Sequence, residues 1–338
     1  MSRLGWGIAG CGWVARDYVA PAIVDSANGT LLAVHDPSAE SLAQARAALG
    51  DVACHDTLAG FLATPGLGAV YVASPNHAHR GLVEAAAAAG LAVLCEKPMA
   101  TTLADAEAMV AACAAAGVAY ATAFDQRFHA AHRHLARLVA EGAVGRPVAV
   151  RIIYACWVGD GWAADNWRVD RARAGGGALF DLAPHGLDLA AMILGERIGA
   201  VAALGQARVH RYAVEHGAVE DGALLMARSE GGVLLQMHVA YNCPETLPRR
   251  RLEVVGDAGQ LVAVDTMGQT AGGTLWLTQA ADGVAREVEV PGAERSPFLN
   301  QVEAFAGAVL AGEAFAFTPE HDLHTMALLA TARAMVLP

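Results

Sequence analysis

Over about the first 120 residues, short apolar runs alternate with alanine-rich stretches of helical period. The runs at 4–9, 30–35, 52–55, 69–73, 91–95 and 118–123 predict strands, and the segments 14–27, 38–49, 77–89 and 102–116 predict helices between them. Three of those helices run out at Gly50, Gly90 and Gly117, where a residue without a Cβ takes the left-handed conformation that ends a helix. Strands that are apolar throughout are buried on both faces, and helical crossovers between them impose parallel pairing. Residues 1–123 therefore read as a doubly wound α/β domain with a parallel sheet.

The pattern changes after residue 124. A helix is predicted over 130–141, an alternating strand over 147–154, then a loop rich in Trp, Gly and Arg, and a helix over 177–194. Strand signals follow at 201–208, 222–228, 233–240, 252–255, 261–265, 274–278 and 287–290, separated by turns such as Ser229-Glu230-Gly231-Gly232 and Gly256-Asp257-Ala258-Gly259. Helices over 298–311 and 319–336 close the chain. Residues 124–338 predict an α+β domain on a large open sheet, mixed or antiparallel.

At 338 residues the chain is long enough for two such domains. Its mean hydropathy of +0.35 raises the question of a membrane. Alanine, at 76 residues, supplies most of that average. The uncharged, alanine-rich stretch 108–124 has 17 residues, short of the roughly 20 strongly apolar residues that span a bilayer. The chain starts directly on a strand pattern, without a secretory apolar core and cleavage site. The expectation is a soluble, cytoplasmic protein with no membrane partner. The net charge of -11 and the absence of any basic tract longer than Arg249-Arg250-Arg251 argue against nucleic acid as a partner. The six cysteines are scattered, with no Cys-x-x-Cys pair, and read as reduced.

Gly10-Cys11-Gly12-Trp13-Val14-Ala15 falls between the first strand and the first helix and fits Gly-x-Gly-x-x-Gly/Ala. Gly10 permits the tight turn, Gly12 lets backbone approach a pyrophosphate, and small Ala15 lets the helix pack near the strand. The helix start at Trp13 and Val14 offers free N–H groups and a partial positive charge, so an acidic chain can hold a dianion without a basic patch. Asp36 closes the second strand, 24 positions beyond Gly12. A carboxylate there accepts hydrogen bonds from the adenosine ribose and repels a 2′-phosphate. NAD(H) is expected ahead of NADP(H).

Two further strand ends lie on the same carboxyl edge, where ligands bind in such sheets. One carries Ser74-Pro75-Asn76-His77-Ala78-His79 and the other Glu96-Lys97-Pro98. Ser74, Pro75, Asn76, His79, Glu96 and Lys97 are expected beside the cofactor. His77 and His79, two apart, straddle a helix instead of sharing a face, which disfavours zinc. The histidines at 129, 132, 134, 321 and 324 lack a recognisable completing set, so no metal is expected. Lys97 is either a turn residue or, beside a nicotinamide, a group that binds a hydroxyl and tunes its proton.

A second constellation is Gly175-Gly176-Gly177 followed by Asp181 and His185. At i,i+4 the two share one helix face, as a structural pair or as a grip on a polyol and its proton. The triple glycine, which allows close backbone approach, favours the second.

In order and spacing, the glycine loop, Pro75-Asn76-His77-Ala78-His79, Glu96-Lys97-Pro98, and Gly175-Gly176-Gly177 with Asp181 and His185 resemble the Gfo/Idh/MocA family of NAD(P)-dependent oxidoreductases. The resemblance covers essentially the whole chain. It implies a Rossmann domain, a second domain whose open sheet often forms a homo-oligomer interface, and a site lined by Lys97, Asp181 and His185. By analogy His185 takes the hydroxyl proton as hydride leaves for the nicotinamide, while Lys97 and Asp181 orient the oxygen; relatives differ on whether Lys97 or His185 is the acid/base. Asn166-Trp167-Arg168, with Met267-Gly268-Gln269-Thr270 and Gly272-Gly273-Thr274-Leu275, looks like the 1,5-anhydro-D-fructose reductase branch. That branch generally uses NADPH, against which Asp36 stands. Trp167 and Arg168 are candidates for a sugar-stacking face and a hydroxyl donor, or for a loop anchor. Arg127 is a further substrate candidate, or a salt bridge at the domain boundary.

The expected activity is hydride transfer between a nicotinamide and a hydroxyl or carbonyl carbon of a sugar, cyclitol or related polyol. A non-catalytic NAD-sensing regulator and an NAD-dependent glycoside hydrolase are the alternatives on the same scaffold.

Overall fold

The structure is a computed structural model describing residues 2–164, 166–216 and 218–336. Contacts divide the chain into two compact units, Met1–Ala123 with Phe298–His324, and Phe124–Pro297 with Thr325–Pro338.

In the first unit β1 (Leu4–Ala9), β2 (Gly29–His35), β3 (Ala53–His55), β4 (Ala69–Val72), β5 (Ala92–Glu96) and β6 (Tyr120–Ala123) form one sheet, ordered β3-β2-β1-β4-β5-β6. Every pairing is parallel. β4 and β6 are buried at each position, including Thr122 of β6. The chain builds outward from β1 to β3, then crosses to β4 on the other side. That reversal opens a crevice at the carboxyl ends of β1 and β4, the ligand position of a Rossmann sheet.

The helix expected over 14–27 is not regular. A π-helical turn, Ala15–Val19, precedes an α-helix over Ala20–Asp25. Pro21 has no N–H to give the ladder, and the turn before it closes through the wider Ala20 N–H to Ala15 carbonyl bond.

The expectation that 124–338 form one domain needs correction at residues 298–324, which belong to the first unit. Phe298, Val302, Phe305 and Ala306 are buried in the same core as Trp6, Ile8 and Tyr71. The Trp6 and Phe305 ring centroids lie 5.7 Å apart. Glu303 adds polar fastening, accepting the Ala27 N–H on its carboxylate and the Asn28 amide on its carbonyl, both at 2.9 Å. An alanine-rich helix carries an apolar stripe but no label for which core it fills.

The second unit is an eight-stranded sheet of β7 (Pro147–Ala155), β8 (Ile198–Gln206), β9 (Gly222–Ser229), β10 (Leu234–Ala240), β11 (Arg250–Gly256), β12 (Gly259–Val264), β13 (Thr274–Gln279) and β14 (Ala285–Val288). The order is β14-β13-β12-β11-β7-β10-β9-β8. Only β7 and β10 pair in parallel; the other pairings are antiparallel, so the sheet is mixed. The helix Ala178–Leu194 lies across β7, β8, β9 and β10, and Ala130–Ala140 across β12 and β13. β9 alternates buried and exposed positions along most of its length, as one covered face demands. The stretch Arg171–Leu194 passes a bilayer-crossing test of length and hydropathy, yet 83% of its apolar window is buried inside the protein. It is a core helix.

Candidate cofactor and proton-transfer site

Gly10 marks the switch point. Its φ is +103°, and a Cβ built there meets the Ala73 carbonyl carbon and the Ser74 nitrogen at 2.6 Å. Only glycine lets the two strand ends touch backbone to backbone. Gly12 differs: its φ lies outside the left-handed region, and a built Cβ meets no atom within 4 Å. Protein packing does not demand glycine at 12. The open space there leaves room for a dinucleotide pyrophosphate to approach the backbone. Trp13 packs edge-on to Tyr18 with centroids 5.8 Å apart, and Val14 is the N-cap of the π-turn.

Asp36 stands beside that loop. Its carboxylate accepts the Cys11 N–H and the Ser38 N–H, each at 2.9 Å. Two backbone donors lock the carboxylate at the end of β2, where it presents negative charge to the loop. Cys11 is inert: burial, with Asp36 and Cys54 adding to it, pushes its thiol up to about 12.

The β4 loop supplies Ser74 and Pro75, both half-buried, and Asn76, which is buried and opens a short 3-10 turn. His79 is wholly buried. One ring nitrogen faces the Met99 carbonyl and the other the Ser74 carbonyl, each at 3.0 Å. A ring with no accessible surface cannot touch a cofactor, so the expected contact is corrected to a staple between two loops. Burial lowers its pKa, and the carbonyls oppose that. Glu96 accepts the Tyr71 hydroxyl at 2.7 Å and the Lys97 N–H at 3.2 Å, which holds the Glu96-Lys97-Pro98 turn. The Lys97 side chain is half-buried there.

In the second unit Asp181 and His185 share the helix Ala178–Leu194, as their spacing predicts. The triple glycine serves a different end from ligand approach. A Cβ on Gly177 meets the Glu220 carbonyl at 2.1 Å, and Cβ atoms on Gly175 and Gly176 meet the Phe180 side chain at 2.6 and 2.8 Å. Glu220 caps this helix, accepting the Gly177 and Leu179 N–H groups at 3.0 and 2.9 Å. Asp181 accepts the Tyr241 hydroxyl at 2.8 Å. His185 is buried edge-on to Phe124 and Tyr154, with Nδ1 3.8 Å from Asp125 Oδ1.

Arg168 lies over the Trp167 ring at 4.5 Å and over Trp162 at 5.9 Å, and its charge reaches the Tyr241 hydroxyl. Trp167 and Arg168 are both half-buried, so the stack keeps surface toward solvent. Arg127 does not. It is fully buried and bound to Asp188, which removes it as a substrate donor. Asp125, Asp188, Glu220 and Tyr241 escaped the sequence reading. Asp188 had a signal, a carboxylate seven residues beyond Asp181 on an apolar helix; the others are placed by contacts distant in the chain.

Comparison with known proteins follows the same division. A family model for an oxidoreductase family with an NAD-binding Rossmann fold matches residues 4–124, and one for the GFO/IDH/MocA C-terminal domain matches residues 132–262. The 1,5-anhydro-D-fructose reductase of Ensifer adhaerens is 34% identical over 81% of this chain and 80% of its own. The D-xylose 1-dehydrogenase (NADP(+)) 2 of Haloferax volcanii is 30% identical over 94% and 91%. The crystal structure of aldose-aldose oxidoreductase from Caulobacter crescentus, complexed with glycerol, superposes with a TM-score of 0.87 over 98% of this chain and 97% of that one, at 28% identity. The chain belongs to the Gfo/Idh/MocA family of NAD-binding oxidoreductases.

Proposed function

We propose an NAD(H)-dependent dehydrogenase or reductase acting on a sugar, cyclitol or related polyol. The observation that carries the cofactor choice is Asp36, locked beside the glycine loop by two backbone N–H groups. Fixed there, it accepts ribose hydroxyls and repels a 2′-phosphate. An NADP-linked relative does not alter this chain's own carboxylate. The regulator and glycoside hydrolase readings have less support, because the relatives are named reductases and dehydrogenases.

The bound nicotinamide supplies a hydride acceptor or donor. The backbone from Gly10 to Val14 binds pyrophosphate, with Ser74, Pro75, Asn76, Glu96 and Lys97 along the same carboxyl edge. His185 takes the proton of the substrate hydroxyl during oxidation and returns it during reduction. Lys97 and Asp181 polarise and orient that oxygen, and Trp167 with Arg168 offers a stacking face and a hydrogen-bond donor.

The test is steady-state assay with NAD and NADP against a panel of aldoses and cyclitols. Turnover that prefers NAD, and that Lys97→Ala and His185→Ala abolish, supports the reading. Absence of nicotinamide reduction or oxidation on the whole panel sinks it.

The open sheet face exposes Leu204, Leu224, Met226 and Leu234. Such a patch needs a cover, and a second copy of the chain is the occupant we propose. Light scattering of Met226→Lys against the parent protein tests it. The six thiols, none paired as a disulfide, suit the reducing cytoplasm, which we propose as the compartment.

A further inference from the structure

We propose that Asp125, not the helix neighbour Asp181, is the carboxylate that orients His185, holding the proton on Nδ1 and leaving Nε2 as the nitrogen that exchanges the substrate proton. This rests on the dehydrogenase reading above and deepens it. Asp125 is a positioning residue here, acting on the reaction through His185.

The geometry supports this in three ways. Asp125 Oδ1 is 3.8 Å from His185 Nδ1, and the side chains are only 7% and 4% exposed. That is an ion-pair separation, and contacts of catalytic groups commonly close to hydrogen-bond length when substrate binds. Asp125 is itself fixed: it opens the 3-10 turn Asp125–Phe128 after β6, and its Oδ2 accepts the Gln126 amide at 3.2 Å. That amide is anchored on the Gly268 carbonyl at 2.7 Å. Asp181, in turn, spends an oxygen on the Tyr241 hydroxyl at 2.8 Å.

The tautomer follows from donor and acceptor chemistry. An ionised carboxylate only accepts, so a neutral imidazole facing it carries its proton on the facing nitrogen. Nε2 then bears the lone pair. With both side chains nearly closed to solvent, an ionised Asp125 favours the imidazolium, against the burial of the ring.

Other groups surround the ring. Tyr154 faces it from β7, and Tyr241 holds Asp181 from the end of β10. Both hydroxyls are held neutral, because burial pushes them well above their ordinary range. Arg250 on β11 acts on Tyr154. On the helix itself Asp188 is neutralised by Arg127. Among the described residues, this leaves Asp125, 3.8 Å from the ring, and Asp181, one turn earlier on its helix, as the carboxylates to distinguish.

The test is an NMR titration of protein labelled at histidine, with His185 assigned by difference against His185→Gln. The expected wild-type state is the Nδ1–H tautomer. Asp125→Asn lowers the His185 pKa by about 1 in pH, and Asp181→Asn moves it less. In alcohol oxidation the acid limb of kcat/KM shifts down with Asp125→Asn by the same amount, and Asp125→Glu restores it. An Nε2–H tautomer in the wild-type protein overturns the proposal, as does an Asp125→Asn protein whose His185 pKa stays put. An equal or larger shift in Asp181→Asn overturns it too. If Asp125→Asn does not fold, the wild-type tautomer still decides. A protein that turns over no sugar or polyol defeats the dehydrogenase reading alone, since tautomer and titration are read without turnover.

Discussion

Arg127 and Asp188 form an ion pair in which neither side chain reaches solvent. Arg127 Nε donates to both carboxylate oxygens at 2.9 Å, Nη2 donates to one at 2.6 Å, and the guanidinium lies 4.5 Å over the Phe124 ring. The pair ties the turn after β6 to the helix bearing His185. Breaking one half takes its salt-bridge partner from a buried charge, at a cost of about 3–5 kcal/mol. Arg127→Met or Asp188→Leu alone is expected to lower the urea midpoint sharply. The double variant is expected to recover most of the loss, because neither charge of the pair is then left in the core. A substrate-binding Arg127 would instead raise KM and leave the midpoint where it is.

The two loop glycines separate folding from binding. Gly12→Ala adds a methyl that meets no protein atom within 4 Å, so its Tm is expected to match the wild type. Its Kd for NADH is expected to rise by about tenfold or more, equivalent to 1.4 kcal/mol. Gly10→Ala forces a Cβ onto the Ala73 carbonyl carbon at 2.6 Å with φ at +103°, and costs about 2 kcal/mol or more of stability. Calorimetry and cofactor fluorescence on both variants check the contrast; equal Tm losses would refute it.

In the proposed NAD(H) site, Asp36→Ala removes the ribose acceptor and the charge that repels a 2′-phosphate. A charged hydrogen bond is worth about 1.5–3 kcal/mol, so kcat/KM for NAD is expected to fall about 10- to 100-fold while that for NADP rises. Unchanged preference would mean that specificity is read elsewhere.

Burial holds His129 at about 4 and His132 at about 3, below their ordinary 6.5. The unfolded chain takes up both protons near 6.5 and the folded protein does so only far lower. The stability these neutral rings protect is whole above 6.5 and is lost as pH falls from there toward 4. By about pH 4.5 the loss is on the order of 2 kcal/mol per histidine. His132 joins the Gln126 carbonyl at 3.0 Å to the Thr266 hydroxyl at 2.9 Å. His132→Gln is expected to flatten the fall in urea midpoint between neutral and acid pH. An unaltered slope would count against it.

The order of strands and helices, the glycine loop and Asp36 were legible in the amino-acid sequence because each depends on residues adjacent or regularly spaced in the chain. Apolar runs bounded by glycine describe buried parallel strands without reference to anything distant. An i,i+4 spacing likewise places Asp181 and His185 on one helix face. The partners of those residues are another matter. Tyr241 reaches Asp181 across 60 positions, and Asp188 meets Arg127 across 61. No local periodicity encodes such contacts; they exist only once β7, β10 and the Ala178–Leu194 helix have packed. The same holds for residues 298–324, whose apolar stripe suits more than one core until Trp6 and Phe305 meet. Sequence determined what kind of cofactor the chain is built to hold. Tertiary packing decided that Arg127 is a buried strut, that the triple glycine makes room for Glu220 and Phe180, and that Asp125 faces His185, because burial and pairing belong to the assembled unit and not to any one segment.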